Sequence, residues 1–400
     1  MRKKSKFKDK VFFNVNKEIE QRKGTGSWLD KSIRYKPFLC ESKIKEFDSL
    51  INSLSKELEI EEGYKKDQKK LDLEVLILNL LHVKNKPIQI SLNRNHWIRS
   101  RYKNTSYYTI ELINKMNEQN YITIKKGYNL ENEKRQTRIW AKEKLIQNFK
   151  TLPVGLIIKP VELVVLKDAE SKLKEYKDTQ KTHRIRKILQ RVNNVNNNAD
   201  IRYKHYQIKP YLKAIYLEKF SLYGRLHTSG YKHYQSLPEC ERSEITINGH
   251  RTVELDYSGL HPNLLYAKEG IQYWKDPYSI FPGEDPTIRS FLKEMFLAML
   301  NTNSFYEAEK ASNYWLYKHH SEREKLKLKG ITKARPLMKK FLKLHQPIKK
   351  YFLSGKKTGL QIMNLDAKIA LDVVNYFAKQ NIPILSVHDS FLVQEQYENE

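Results

Sequence analysis

Two segments far apart in the chain each run an apolar strand pattern into a carboxylate: Val253-Glu254-Leu255-Asp256-Tyr257-Ser258-Gly259 and Ile384-Leu385-Ser386-Val387-His388-Asp389-Ser390-Phe391-Leu392-Val393. Two such aspartates brought together can hold two divalent cations, and the chemistry that such a pair serves is phosphoryl transfer. Asp256 falls at a strand's carboxyl end with the Tyr257 backbone carbonyl beside it, and both oxygens suit a hard cation such as Mg²⁺, with Mn²⁺ as a substitute. Asp389 falls at the tip of a hairpin between two very apolar strands, where burying a charge is costly without a metal or cationic partner.

Three elements must position this pair. After Asp256 the chain reads Tyr257-Ser258-Gly259-Leu260-His261-Pro262, and a proline is tolerated in a first helical turn, so strand, tight turn and a helix starting near His261 are expected. Residues Leu360 to Gln380 read as an amphipathic helix through Ile362, Leu365, Ile369, Val373 and Phe377, leading into the second strand. Between them Ile288 to Asn301 reads as a helix with Arg289 and Lys293 four residues apart on one face, a spacing of two cations that suits a triphosphate.

The run before Asp256 adds Gly224-Arg225-Leu226-His227-Thr228 and Gln235-Ser236-Leu237-Pro238. In this order and spacing the segments resemble the palm and fingers of family A DNA polymerases, over about residues 216–400. That resemblance implies a right-hand palm with an antiparallel sheet, a small helical fingers insertion at about 270–355, and template-directed nucleotidyl transfer with two Mg²⁺ ions on Asp256 and Asp389. It further implies that Arg225, Gln235 and His388 touch the primer-template duplex, and that Arg289, Lys293, Leu297, Asn301 and His261 line the nucleoside triphosphate site. Lys293 would then protonate the leaving pyrophosphate.

Several positions depart from that family. Ser390 stands where the DNA enzymes carry Glu, whereas the phage-type single-subunit RNA polymerases, which share the palm, carry His-Asp-Ser; Ser258-Gly259 is also similar to that second group. His261 replaces a Glu that excludes the ribose 2′-hydroxyl, and Asn301 replaces a Tyr. The eleven residues after Asp389 also do not supply the palm elements that follow the second aspartate in the family. A DNA polymerase is the leading expectation, an RNA polymerase or primase the alternative, and a winged-helix replication initiator or regulator with an inactive polymerase-like half the non-enzyme alternative.

The amino-terminal half reads differently. Residues 1–68 are rich in Lys, Glu and Ser with few apolar anchors, and suggest a mobile basic arm followed by a helix near 41–58. Residues 70–148 suggest a helix (Leu71 to Val83), a short strand (Ile88 to Leu92), a helix capped by Thr105 or Ser106, and a hairpin of Tyr121–Lys126 with Gln136–Trp140. That order resembles a winged helix-turn-helix domain, which implies that the helix at 105–119 enters a DNA groove while Lys125, Lys126, Arg135 and Arg138 on the wing contact phosphates. A small protein-interaction module with a basic rim is the other reading. Residues 149–215 suggest a helical linker or thumb-like segment, with a charged helical stretch from Leu163 that dissolves in the run Asn193 to Asn198.

Composition agrees with a polyanion partner. The 400-residue chain carries a formal charge of +28, which attracts phosphate over long range and binds it with release of counterions. No apolar run approaches the ~20 residues of a membrane span, and the start Met1-Arg2-Lys3-Lys4-Ser5-Lys6 lacks the apolar core of a secretory signal, so no membrane partner and a cytoplasmic or nucleoid-associated protein are expected. The two cysteines, Cys40 and Cys240, form no zinc or disulfide pattern. The fold class expected is α+β.

Overall fold

The computed structural model describes all residues except 1–26, 37–38, 42–44, 84–85, 98–99, 130–133, 151, 153–157, 209, 230–232 and 281–285. The basic start of the chain lies outside the described residues. The protein is α+β, and it divides into two compact units, Met1–Glu162 and Leu163–Glu400. Among the described residues no helix is long and apolar enough to cross a membrane.

The first unit contains β1 (Ile33–Arg34), α1 (Lys45–Glu57), α2 (Lys66–Val83), β2 (Ile88–Ile90), α3 (Tyr108–Glu118), β3 (Ile122–Lys125), β4 (Thr137–Ala141) and α4 (Glu143–Lys150). Four of its strands form one sheet in the order β1-β2-β4-β3, with β4 antiparallel to both neighbours and β1 parallel to β2. A short ladder, Tyr128–Asn129 with Lys134–Arg135, extends the β3–β4 hairpin. The expectation of few apolar anchors before residue 68 is corrected: Phe47, Ile51 and Leu54 recur on one face of α1 and, with Leu58 and Ile60, are buried in the unit's core. Helix α2 is buried almost all round, through Leu73, Val75, Leu76, Ile77 and Leu80. It contributes one buried carboxylate, Asp72, which accepts the Ser106 backbone N–H and hydroxyl at 2.9 and 2.7 Å and the Thr109 hydroxyl at 3.2 Å. Ser106 donates to Asp72 and its Oγ also accepts the Tyr108 N–H at 3.2 Å, so it caps the first turn of α3 as the sequence allows, while Tyr107 stands between them without a side-chain cap bond.

The second unit contains β5 (Val164–Lys167), α5 (Gln180–Asn198), β6 (Ile201–Tyr203), β7 (Tyr211–Leu217), β8 (Tyr223–Ser229), β9 (Ile245–Ile247), β10 (His250–Asp256), α6 (Leu260–Lys268), α7 (Pro286–Asn301), α8 (Phe305–Lys318), α9 (His320–Leu328), α10 (Ala334–Leu344), α11 (Thr358–Lys379), β11 (Leu385–Val387) and β12 (Ser390–Gln394). A six-stranded antiparallel sheet runs from the short strand Tyr206–Gln207 through β6, β9, β10 and β12 to β11. A second sheet has the order β8-β7-β5, with β5 parallel to β7. Helices α5 and α11 pack with this sheet through Ile185, Leu189, Val192, Ala370 and Val374, while α6 to α10 share a separate core around Phe291, Met295, Phe296, Met299 and Phe341.

Two expectations fail between residues 149 and 215. Val164-Val165-Leu166 is a buried strand and not the start of a helix, because its branched, apolar side chains fill a sheet. The asparagine run stays helical through Asn198. Its intrinsic disadvantage is offset by two buried amides that act as surrogate strands. Asn193 accepts Leu212 N–H at 2.7 Å and donates to Leu212 C=O at 2.9 Å, and Asn196 does the same to Ile384 at 3.0 and 2.8 Å. Asn196 thus holds the residue just ahead of β11. Replacing Asn196 by Leu leaves a buried donor and acceptor unpaired, so we expect a loss of about 3 kcal/mol in urea unfolding monitored by circular dichroism. An unchanged midpoint would show that these bonds are dispensable.

Candidate functional site

The central strands bring the two aspartates to one edge. β10 and β12 pair in register Val253↔Val393, Leu255↔Phe391 and Asp256↔Ser390, so the last residue of β10 stands across from the neighbour of Asp389. β11 and β12 close through the two-residue turn His388-Asp389, in which His388 adopts φ +59°. That left-handed conformation is uncommon for a residue with a side chain and marks an over-determined turn. The expectation that Asp389 is buried is corrected: it is half-buried at the turn, and Asp256 is exposed, so both carboxylates open to solvent.

Electrostatics confirm their proximity. Asp256 is held above the ordinary carboxylate range, first by partial desolvation and then by the negative charge of Asp389, with Lys293 of α7 pulling the other way. A cation shared by the two aspartates would relieve that repulsion, and the donor set of two carboxylates beside the Tyr257 carbonyl has the hard-oxygen chemistry that Mg²⁺ or Mn²⁺ takes. Among the described residues no group of three or more His, Cys, Asp and Glu is arranged as a metal site, so the protein would furnish two carboxylates and leave other positions to water and substrate.

Behind the pair lies a buried node that the sequence reading missed. Asp366 of α11 is 1% exposed and accepts from Arg225 Nε and Nη2, the latter at 2.5 Å, while His261 Nε2 stands 3.1 Å from the same oxygen. Burial pushes this carboxyl up, but the His261 hydrogen bond and the Arg225 charge more than offset it, and the net position is below the usual range. Gly224 makes room for this: it has φ +92°, and a Cβ there would meet Asn364 Nδ2 at 2.8 Å and Tyr216 Cε1 at 2.9 Å. The only sequence signal for Asp366 is its place among Ile362, Ala370 and Val374, a buried stripe of α11 in which a carboxylate needs a partner.

The remaining expected site residues separate into those near the pair and those committed elsewhere. His388 packs edge-on to His227 with ring centroids 5.5 Å apart, and its buried Nδ1 has no hydrogen-bond partner among the described residues. Burial and the Arg225 charge lower the His388 pKa; His227, which meets the Tyr223 hydroxyl at 3.0 Å, is pushed down to about 4 by burial and by His388. Both shifts favour the neutral imidazole. Gln235 spends its whole amide inside the protein, accepting Thr228 N–H at 2.9 Å and donating to Leu226 and Ser386 carbonyls at 3.1 and 2.8 Å, so it is a strut between β8 and β11. Ser390 donates to Glu254 at 2.7 Å, and Glu254 accepts from Arg242 Nε and Nη2 at 2.8 and 2.7 Å.

On α7, Lys293 is exposed and Leu297 half-buried on the same face, while Arg289 is paired with Asp276 at 2.6 Å and lies over the Tyr278 ring. Asn301, at the end of α7, hydrogen-bonds the Leu297 carbonyl at 2.9 Å and fills the space over Gly359 of α11, where a Cβ would meet its Oδ1 at 2.1 Å. Structure therefore brings together Asp256, Asp389, Lys293, His388, Arg225 and His261, and gives Gln235 and Arg289 protein partners.

In the first unit the wing lysines Lys125 and Lys126 are exposed, but Arg135 pairs with Asp30 and Arg138 is 5% exposed, which corrects the expectation of four solvent-facing cations. Arg138 lies on β4, one of the sheet's two inner strands, and its buried guanidinium stands 4.0 Å from Asp30. Helix α3 has one lysine, Lys115, bonded to the Leu58 carbonyl at 2.9 Å, and otherwise displays Glu111, Asn114 and Glu118. The chain matches no known protein family, no curated protein and no solved structure.

Proposed function

We propose that the chain is a template-directed nucleotidyltransferase, a DNA polymerase of family A type, with its reaction centre at Asp256 and Asp389. The observation that carries this reading is the register Asp256↔Ser390, which sets two repelling carboxylates at the ends of neighbouring strands, with Lys293 acting on Asp256 from a neighbouring helix. A divalent cation held there supplies a lowered pKa for an attacking hydroxyl and neutralises phosphate charge. The protein's own groups do the rest. Lys293 offers a mobile point charge to a triphosphate, the rigid sheet edge fixes the carboxylates, and the Asp366 node locks Arg225 and His261 in place for the substrate to meet. The helical module α7 to α10 then plays the part of compact fingers.

For the first unit the order α2, β2, α3, β3, β4 with its extended hairpin supports a winged-helix reading. We infer that its phosphate contact is made by Lys125 and Lys126 on the wing, since α3 presents no free cation among its described residues.

Primer extension tests the reading. With a primed template, Mg²⁺ and single nucleotides, the protein should add the complementary dNTP and discriminate against the mismatched ones. Preference for NTPs would move the assignment to an RNA polymerase or primase, and failure with both nucleotide sets in Mg²⁺ and Mn²⁺ would sink it.

A further inference from the structure

The first unit holds a cavity of about 220 Å³ whose walls include Arg34, Ser91, His96, Trp97, Lys103 and Gln136. Cavities that swallow drug-sized ligands run to ~300–1,000 Å³, so this one suits a single small group. No acidic residue lines it. Neither Arg34 nor Lys103 has a carboxylate partner among the described residues, although the chain's other cations are often paired in this way. Lys103 reaches the cavity from the loop before α3, and its Nζ donates to the His96 carbonyl at 3.1 Å. The His96 imidazole is pushed below its ordinary range by burial and then by the charges of Lys103 and Arg34, so the cations do converge. The lining is also aromatic: Trp97 is buried, donates its indole N–H to the Ser91 carbonyl at 3.0 Å and stands 5.6 Å from the Tyr35 ring.

We propose that this cavity is a phosphate-binding site that takes the terminal phosphate of a nucleotide or of a nucleic-acid strand, with Arg34 and Lys103 supplying the positive charge. Like charges gathered without a counter-ion repel one another, and a phosphate removes that repulsion while accepting charge-assisted hydrogen bonds from both. The exposed Gln136 amide at the rim supplies a further donor. The edge of Trp97 gives an apolar surface for the sugar or base that carries the phosphate. The inference does not depend on nucleotidyl transfer in the second unit.

Binding of the full chain is to be measured in EDTA, which removes divalent-cation sites from the comparison. The ligands are oligonucleotides with 5′-phosphate, 3′-phosphate or only hydroxyl ends, followed by anisotropy, and a nucleoside monophosphate against its nucleoside, followed by calorimetry. We expect a phosphate-bearing ligand to bind about tenfold tighter than its unphosphorylated counterpart, and Arg34→Gln and Lys103→Gln each to erase that advantage without changing the melting temperature. An advantage for oligonucleotide ends alone identifies a strand terminus as the ligand; an advantage for the monophosphate alone identifies a free nucleotide. Equal binding of phosphorylated and unphosphorylated ligands overturns the proposal, as does an advantage that survives both substitutions.

Discussion

The Asp366→Ala protein unfolds on the order of 10 °C below the wild type and binds primed template poorly. Removing this carboxylate leaves the Arg225 guanidinium, only 13% exposed, without its counter-ion, and breaking a buried pair from one side costs about 3–5 kcal/mol. The small remaining exposure of Arg225 favours the lower end, about 3 kcal/mol, which in a domain of this size corresponds to that shift. Asp366→Asn keeps the shape and one acceptor oxygen and should fall between. The pH dependence has a defined sign. The folded-state pKa of Asp366 lies below its ordinary 3.8, so the stabilisation is complete above 3.8 and is lost as pH falls from there through the depressed value. An Asp366→Ala protein that melts with the wild type at neutral pH would remove the node from the account.

The carboxylate pair should behave in the opposite way. Asp256→Asn and Asp389→Asn are each expected to lower nucleotide incorporation by about 10³-fold, ~4 kcal/mol of transition-state stabilisation, because each removes half of the charge that a cation would bridge. Neither should lower the melting temperature. The pKa of Asp256 is raised, so its ionised form is disfavoured by folding at pH values above the ordinary 3.8, and the neutral amide relieves that repulsion. Loss of activity without loss of stability, set against loss of both at Asp366, separates a group that meets substrate from one that holds the scaffold.

The parts of this site that a sequence reader can find are those with local periodicity. The apolar run at 384–387, the returning 391–393 and the helix before them define a hairpin whose tip must be His388-Asp389, and the folded protein has that hairpin. Proline at 262 likewise marks a helix start, which falls at Leu260. What periodicity cannot supply is a partner. Arg225 reads as a surface cation ready for a duplex, yet its carboxylate lies 141 residues later, on a helix whose apolar stripe does not name the partner that an aspartate in it requires. The asparagine run fails for the same reason: Asn193 and Asn196 look like helix breakers until Leu212 and Ile384 supply the backbone groups they bind. Asp389 errs in the other direction, since apolar neighbours in the sequence suggest burial, while a two-residue turn at a sheet edge leaves it half-open.

Single-turnover incorporation of one complementary dNTP on a primed template, compared between wild type, Asp256→Asn and Asp389→Asn in saturating Mg²⁺, tests the central claim most directly. The account predicts complementary addition by the wild type and about a 10³-fold slower rate in each variant, with all three proteins melting at or above the wild-type temperature. Incorporation at the same rate in all three, or no incorporation by the wild type, would contradict it.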